Sequence, residues 1–244
     1  MTDAYDPDNL LDRRTAATTL QAHYDHAEAR EAALLTRHLG LTGGTAVSVG
    51  CGWRPGRHLF PAPAWRLLAN DLRPERAAHA VASGAADAAV GGSAAGLDLP
   101  DSSVDVVLER LVLHHVAYEG SVAGALAEAA RVLRPGGALV AVEPNAWHPV
   151  GAALAGANRL GLGPAVHGTA DDIPLSPRAL AADARAAGLA PEILGVTYSW
   201  RRLPRGLQRA LHALDAPLGA RPRSAALAHT ILLIGRKPVL SAAQ

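Results

Sequence analysis

The chain has few of the residues that mark specialised protein classes. Its single cysteine, Cys51, excludes a disulfide framework and a cysteine-based metal cluster. A formal net charge of +1 gives no overall signal for a nucleic-acid or membrane partner. Apolar runs stay below the roughly 18 residues that span a bilayer, and the first residues lack the pattern of a signal peptide. We therefore expect a cytoplasmic globular protein that binds no metal, nucleic acid or membrane.

What the sequence does contain is an alternation of apolar strands and alanine-rich helices. The pattern predicts a long first helix over residues 9–39, stopped by Gly40 and the Gly43-Gly44 pair. Strands alternating with helices at this spacing predict βαβ units and a parallel sheet covered by helices. The predicted strands are 46–49, 65–69, 85–90, 104–108, 138–142, 193–199 and 230–234, and the predicted later helices are 75–82, 122–133, 151–160 and 176–187.

A glycine-rich turn follows the first predicted strand. Gly50-Cys51-Gly52 comes directly after Val49, and such a turn lets a ligand approach the backbone more closely than a side chain would allow. Asp71 ends the next apolar run, where a ribose-binding carboxylate follows a nucleotide-binding turn. These features predict an adenosine-containing cofactor. A nicotinamide dinucleotide is disfavoured because Gly50, Gly52 and Gly56 do not form the G-x-G-x-x-G spacing.

Three blocks carry a resemblance to a known family: 49–71, 92–107 and 111–145. The third is the most specific, with Leu111-Val112-Leu113-His114-His115 followed by Ala130-Arg131-Val132-Leu133-Arg134-Pro135-Gly136-Gly137. In this order and spacing the blocks resemble class I S-adenosylmethionine-dependent methyltransferases that act on small molecules. The resemblance implies a Rossmann-like sheet of seven strands, the last antiparallel, with helices on both faces. It also implies a helical cap over 1–40 and a cofactor domain over 41–244, with acceptor-side insertions at 145–225.

The resemblance assigns roles to nine residues that would bind S-adenosylmethionine. Asp71 would accept hydrogen bonds from the ribose hydroxyls, and Leu72 would pack on the adenine. Ser93 and Ala94 would contact the adenine amine and ring. The remaining residues would lie along the methionine and sulfonium end: Gly50, Cys51, Gly52, Glu109 and Arg110.

The chain departs from the family pattern at three of its positions. Ser48 and Ser93 stand where the family usually has acidic residues, and Arg54 stands at a usual glycine. Two interpretations of Arg54 stay open: Gly56 does the work of that glycine in a longer loop, or Arg54 enters the methionine subsite. Loss of a charge-assisted hydrogen bond would weaken cofactor binding by roughly 1–3 kcal/mol.

Three histidines are candidates for a catalytic base: His148, His115 and His114. A histidine near neutral pKa suits proton removal from a hydroxyl or amine, although helix capping and packing are alternative roles for each. The predicted activity is methyl transfer to O, N or C of a small metabolite, with secondary metabolism as one setting. The alternatives are a cyclisation or rearrangement on the same fold, or a non-catalytic binding protein with a degenerate pocket. The oligomeric state stays open, a homodimer included.

Overall fold

The computed structural model of the chain describes residues 17–162 and 173–239, so part of the predicted first helix, 9–16, lies outside them. The helices are α1 (Ala17–His38), α2 (Pro74–Ala82), α3 (Leu113–Glu119), α4 (Val122–Val132), α5 (Pro149–Arg159), α6 (Pro177–Ala186), α7 (Arg205–Gly219) and α8 (Pro222–Ala225). The strands are β1 (Gly44–Val49), β2 (Trp65–Ala69), β3 (Ala88–Ala89), β4 (Gly92–Ser93), β5 (Gly96–Leu97), β6 (Val104–Arg110), β7 (Leu133–Pro144), β8 (Ala190–Thr197) and β9 (Thr230–Arg236). No helix among these residues has the length and apolar character needed to cross a membrane.

Seven of the strands form one sheet in the order β3-β2-β1-β6-β7-β9-β8. β1 pairs in parallel with both β2 and β6, whereas β9 runs antiparallel between β7 and β8. This confirms the predicted α/β fold class, a Rossmann-like, mostly parallel seven-stranded sheet whose last strand is antiparallel. The strand order reverses between β1 and β6, and in open α/β sheets ligands bind in the crevice at such a switch point.

Alternation along the strands divides the core into two layers. Val47, Val49 and Val107 pack in the layer that contains residues of α4 and α6. Ala46 and Leu108 pack in the opposite layer, against leucines of α1. The same alternation assigns Ser48 and Arg110 to the α1 face and Glu109 to the α4 face, so neighbouring charged residues of β6 serve different layers.

Several element boundaries differ from the predicted ones. The predicted strand 138–142 extends over 133–144, because Leu133 already pairs with Val104 and an irregularity absorbs the Pro135-Gly136-Gly137 run. The predicted strand 85–90 shortens to Ala88–Ala89, since the side chain of Asp87 accepts the Leu67 N–H at 2.6 Å. The β4–β5 hairpin was not predicted. The cap of α6 agrees with the prediction: Ser176 Oγ accepts the Ala179 N–H, and Pro177 is the first helical residue.

Candidate active site

The glycine turn lies at the carboxyl end of β1, beside the switch point. Gly50 and Gly52 have φ angles of +57° and +53°, which favour glycine. The N–H of Cys51 donates to the carbonyl of Asn70 at 2.8 Å, which holds the turn against the end of β2. A Cβ on Gly50 would lie 2.7 Å from Val112 Cγ2, whereas a Cβ on Gly52 would meet nothing within 4 Å. Gly50 is therefore required for packing, and Gly52 borders open space.

Asp71 is fastened to this turn by its own side chain. Its Oδ2 accepts the Gly52 N–H at 2.8 Å, and its Oδ1 accepts the Arg73 N–H at 2.9 Å. Each carboxylate oxygen can accept a further hydrogen bond, so the group is able to bind two neighbouring hydroxyls. Leu72 beside it is 74% exposed, and Trp53 on the turn is 55% exposed with Arg76 5.7 Å above its ring. The carboxylate thus lies next to two exposed apolar side chains.

Asn70 is a site residue that the sequence analysis missed. Its side-chain amide donates to the carbonyls of Val90, Gly91 and Gly92 at 3.0–3.2 Å. These bonds hold the β4–β5 hairpin at the end of β2, with Ser93 exposed and Ala94 half-buried. The only available signal was the position of a polar residue at the end of an apolar strand, immediately before Asp71.

A cluster of four charged side chains joins α1 to the turn and to β6. Arg54 Nη2 lies 2.9 Å from Glu28 Oε1, and Arg110 Nε lies 2.7 Å from Glu31 Oε2. Arg110 also reaches Glu28 at 3.3 Å, so the two arginines share one carboxylate. Positions 48 and 93 thus lack the acidic residues usual in the family, whereas α1 brings two carboxylates, Glu28 and Glu31, to the arginines of the turn and of β6. These partners were invisible in the sequence because about 80 residues separate Arg110 from α1.

Gly56 performs the close packing that the first interpretation of Arg54 requires. Its φ is +83°, and a Cβ there would lie 2.7 Å from Leu108 Cδ2. Arg54 meanwhile extends toward α1 and pairs with Glu28. The packing at Gly56 thus agrees with the first interpretation, and the entry of Arg54 into a methionine subsite stays a prediction.

Burial holds two potentially reactive groups near the turn in their protonated forms. Burial, with Asp71 as the second cause, raises the pKa of the Cys51 thiol to about 11. Burial also raises the pKa of Glu109 to about 8, and the negative charge of Glu143 adds to the increase. At neutral pH Cys51 is a packed thiol, and Glu109 is largely a neutral acid.

Glu143 on β7 and His114 in the first turn of α3 form a buried pair. His114 Nδ1 lies 2.6 Å from Glu143 Oε2, and Glu143 Oε1 accepts the N–H groups of Val112 and Leu113. Glu143 therefore satisfies the first backbone donors of α3, as a carboxylate at a helix N-terminus does. His115 next to His114 is exposed. Of the tandem pair, His115 is the one whose imidazole reaches solvent.

His148 is the N-cap of α5, the alternative role considered for it. Its Nδ1 accepts the Val150 N–H at 3.3 Å, and its ring meets the His229 ring edge-on with centroids 5.0 Å apart. Burial lowers the pKa of His148, opposed by a hydrogen bond to the Tyr198 backbone. His148 is therefore a neutral imidazole at the carboxyl edge of the sheet.

A second histidine cluster joins α1 to α7. His26 Nε2 lies 2.7 Å from the buried Asp215 Oδ2, and the His26 and His212 rings stack 3.8 Å apart at 8°. Donor atoms of these three residues lie within 4.8 Å of one another, a grouping that the sequence spacing did not predict. Lone pairs of two stacked parallel imidazoles lie in separate planes and do not meet at one ion. The cluster therefore serves as a hydrogen-bonded contact between two helices.

Comparison with known proteins bears on the same part of the chain. The sequence profile of the family described as "Methyltransferase domain" matches residues 47–141. The matched segment begins in β1 and ends in β7, and it contains the glycine turn, Asp71, Glu109 and the tandem histidines. Residues 47–141, less than half of the chain, thus match a methyltransferase domain.

Three proteins similar to this one are informative. A Mycolicibacterium smegmatis protein described as a probable S-adenosylmethionine-dependent methyltransferase is 35% identical over 103 residues, 42% of this chain. The chain matches only about two fifths (39%) of that relative's own length. The structure of a Thermotoga maritima SAM-dependent methyltransferase, described as a possible histamine N-methyltransferase, covers 88% of this chain with a TM-score of 0.61 and 16% identity, over 91% of its own length. The [4+2]-cyclase SpnF covers 87% of this chain with a TM-score of 0.58 and 21% identity, over 81% of its own length.

The methyltransferase domain and the rest of the chain contribute different parts of the site. All nine predicted cofactor residues lie inside the matched segment, and the structure groups them at the ends of β1, β2, β4 and β6. The two carboxylates of α1 and the histidines near β9 come from outside it. Parts of the chain outside the matched segment thus add charged partners to Arg110, one of the predicted cofactor residues.

Proposed function

We propose that the chain transfers the methyl group of S-adenosylmethionine to O, N or C of a small-molecule acceptor. The observation that carries this proposal is that the segment matching a methyltransferase domain contains Asp71 and the glycine turn, which a hydrogen bond joins at the switch point of the sheet. When bound, S-adenosylmethionine supplies an activated methyl group on a positively charged sulfur. The chain then needs to bind, align and exclude water, because proximity alone provides a large part of such a rate enhancement.

The residues present fit this cofactor. Asp71 has free acceptor capacity for the ribose hydroxyls, and the exposed Leu72 offers an apolar surface to the adenine. The open space at Gly52 allows a ligand to lie against the turn. Arg54 and Glu28 would bind the carboxylate and the amino group of the methionine part, exchanging their mutual ion pair for the two charges of an amino acid.

The acceptor side would be formed by residues after β7 and before β9. His148 and His229 lie there, and burial lowers the pKa of both, His229 to well below the usual value. These neutral imidazoles would hydrogen-bond an uncharged acceptor group without a net charge penalty. The exposed His115 is the candidate base for a proton that leaves toward solvent.

Calorimetric titration with S-adenosylmethionine and S-adenosylhomocysteine tests the proposal. We expect both to bind, and Asp71→Asn to weaken both by roughly tenfold to a hundredfold, because a charged acceptor of two hydrogen bonds is lost. The matched control is Asp101→Asn, an exposed aspartate that precedes β6 at the opposite edge of the sheet. Failure of both ligands to bind at millimolar concentration would overturn the proposal.

A second candidate is a non-methylating reaction on the same fold, such as a cyclisation or rearrangement. The replacement of two family carboxylates by Ser48 and Ser93 favours it, since the cofactor would then be structural or dispensable. Binding of S-adenosylmethionine without any conversion to S-adenosylhomocysteine across a broad acceptor panel would support this candidate over methyl transfer.

A further inference from the structure

Glu109 is an acidic side chain in an unusual position. It is the sixth residue of β6, pairs in register with Val49, and so lies beside the residue that begins the glycine turn. The residue is 1% exposed, and its Oε2 atom has no hydrogen-bond partner among the residues that the structure describes. A buried carboxyl oxygen without a partner destabilises a fold, so its presence at the switch point calls for a functional explanation.

Within the part of the chain that the structure describes, Glu109 has a second carboxylate near it and no ion pair with a cation. Glu143 on β7 faces it across the α4 side of the sheet, and Glu143 already pairs with His114 of α3. Arg110, its neighbour along β6, lies on the α1 side and pairs with Glu31. On the side of the turn, Glu109 pairs in register with Val49, which directly precedes Gly50. Burial and Glu143 together raise the pKa of Glu109 to about 8.

We propose that Glu109 discriminates the positively charged sulfur of S-adenosylmethionine from the neutral sulfur of S-adenosylhomocysteine by losing its proton when the cation binds. The inference rests on the proposed function. A cation within about 4–6 Å of a carboxyl favours the charged form, and the low dielectric of a buried site strengthens the effect. The proton passes from the carboxyl to solvent on binding. After methyl transfer the sulfur is neutral, the carboxylate recovers a proton, and attraction for the product is lost.

The two ligands provide the test in the unmodified protein. They share adenosine and the amino-acid group, so they differ in the methyl group and its charge. Titrations at pH 7 in two buffers with different ionisation enthalpies count the protons released on binding. We expect S-adenosylmethionine to release more than S-adenosylhomocysteine, with the excess approaching one proton. The affinity ratio in favour of S-adenosylmethionine should rise between pH 6 and pH 8, by up to about tenfold per pH unit.

Two variants assign the excess proton to its residue. Glu109→Gln should abolish the excess and flatten the pH dependence of the ratio. Glu75→Gln, the same substitution at an exposed position in the first turn of α2, should leave both unchanged. An excess that persists in Glu109→Gln would overturn the assignment.

The outcomes separate the two proposals. Binding of both ligands with equal proton release by the wild-type chain would overturn the role of Glu109 and leave the cofactor assignment standing. Failure of both ligands to bind would overturn both. Circular dichroism of Glu109→Gln verifies the fold, and the wild-type comparison decides the inference even without the variant.

Discussion

At the scale of single residues, Glu109 should make the folded chain less stable as pH rises. Most carboxyl groups have the opposite effect, because folding usually lowers their pKa. The pKa of Glu109 is raised to about 8 by burial and by Glu143, whereas a carboxyl in the unfolded chain titrates near 4.5. Between these values the folded chain holds a proton that the unfolded chain has lost. Stability therefore falls as pH rises from about 4.5 to about 8.

Glu109→Gln should remove this loss because the amide stays neutral. We expect the variant to be more stable than the wild type at pH 7, by roughly 3 kcal/mol, and equal to it near pH 4. Denaturant unfolding at a series of pH values measures the difference. A constant offset between the two proteins over pH 4–8 would contradict the assignment of the raised pKa.

The two glycines of the turn should separate folding from ligand binding. Gly50→Ala combines a left-handed backbone with a clash against Val112, and we expect it to destabilise the fold by about 3 kcal/mol. Gly52→Ala has no clash, so only the left-handed backbone destabilises the fold, by about 1 kcal/mol. The substitution nevertheless places a methyl group where the ligand would lie. Thermal unfolding and titration with S-adenosylhomocysteine should show Gly52→Ala folded but weakened in binding.

Gly84→Ala is the matched control for the destabilisation that a left-handed backbone causes in Gly52→Ala. Gly84 has a φ of +72° and open space around it, and it lies after α2, away from the turn. We expect it to resemble Gly52→Ala in stability and the wild type in binding. Equal binding by the two variants would argue against a ligand seated on Gly52.

Sequence reasoning grouped residues correctly where they belong to one local unit, while their role in cofactor binding stays a prediction. The turn and Asp71 belong to one strand–turn–strand unit, and the structure joins Asp71 to Gly52 as a single hydrogen-bonded group. It missed Glu28 and Glu31, because no local pattern distinguishes a helix glutamate that faces solvent from one that pairs with an arginine 80 residues away. The predicted roles of His148, His115 and His114 in catalysis stay predictions.

At the scale of elements, α1 contacts α7 through histidines, of which His23 is buried. His23 is 5% exposed, and its ring lies 5.5 Å from that of His212. Burial lowers the pKa of His23 to about 3, with His212, Arg201 and His26 adding to the decrease. A histidine in the unfolded chain titrates near 6.5, so below that pH the unfolded chain binds a proton that the folded chain excludes.

Acid should therefore loosen the contact between these helices. We expect the free energy of unfolding to fall by about 2 kcal/mol between pH 7 and pH 5 through His23 alone, with further loss down to about pH 3. His23→Gln should reduce this slope, and the exposed His79→Gln should not. Unfolding curves across that range measure the slopes, and an unchanged slope in His23→Gln would contradict a buried neutral histidine.

Helices and strands were predictable where the sequence pattern is local. Strand boundaries were less predictable where pairing with a neighbouring strand determines them. Strand β2 and the cap of α6 agree with the prediction because apolar alternation and the Ser-Pro signal are local. β7 is longer than predicted, since Leu133 pairs with Val104 before the Pro-Gly-Gly run that resembles a stop. The β4–β5 hairpin has two residues per strand and depends on Asn70, which no periodicity reveals.

At the scale of the whole molecule, the site lies at the junction of two halves of the sheet. β1, β2 and β3 extend to one side of the switch point, and β6, β7, β9 and β8 extend to the other. The segment that matches a methyltransferase domain spans both sides but omits α1, which is joined to the site by ion pairs with Arg54 and Arg110. The spacing of the three sequence blocks was therefore sufficient to predict the sheet. It was insufficient to predict the ion pairs that α1 makes with Arg54 and Arg110.

The position of β9 has a consequence for how the chain assembles during synthesis. β8 contacts the rest of the sheet only through β9, which is made more than 30 residues later. While the ribosome is still adding those residues, β8 has an open edge and no neighbour, a state in which strands tend to associate with other chains. Once β9 has been made, it pairs with β7 on one edge and with β8 on the other, so the risk of aggregation through β8 is greatest before β9 is available.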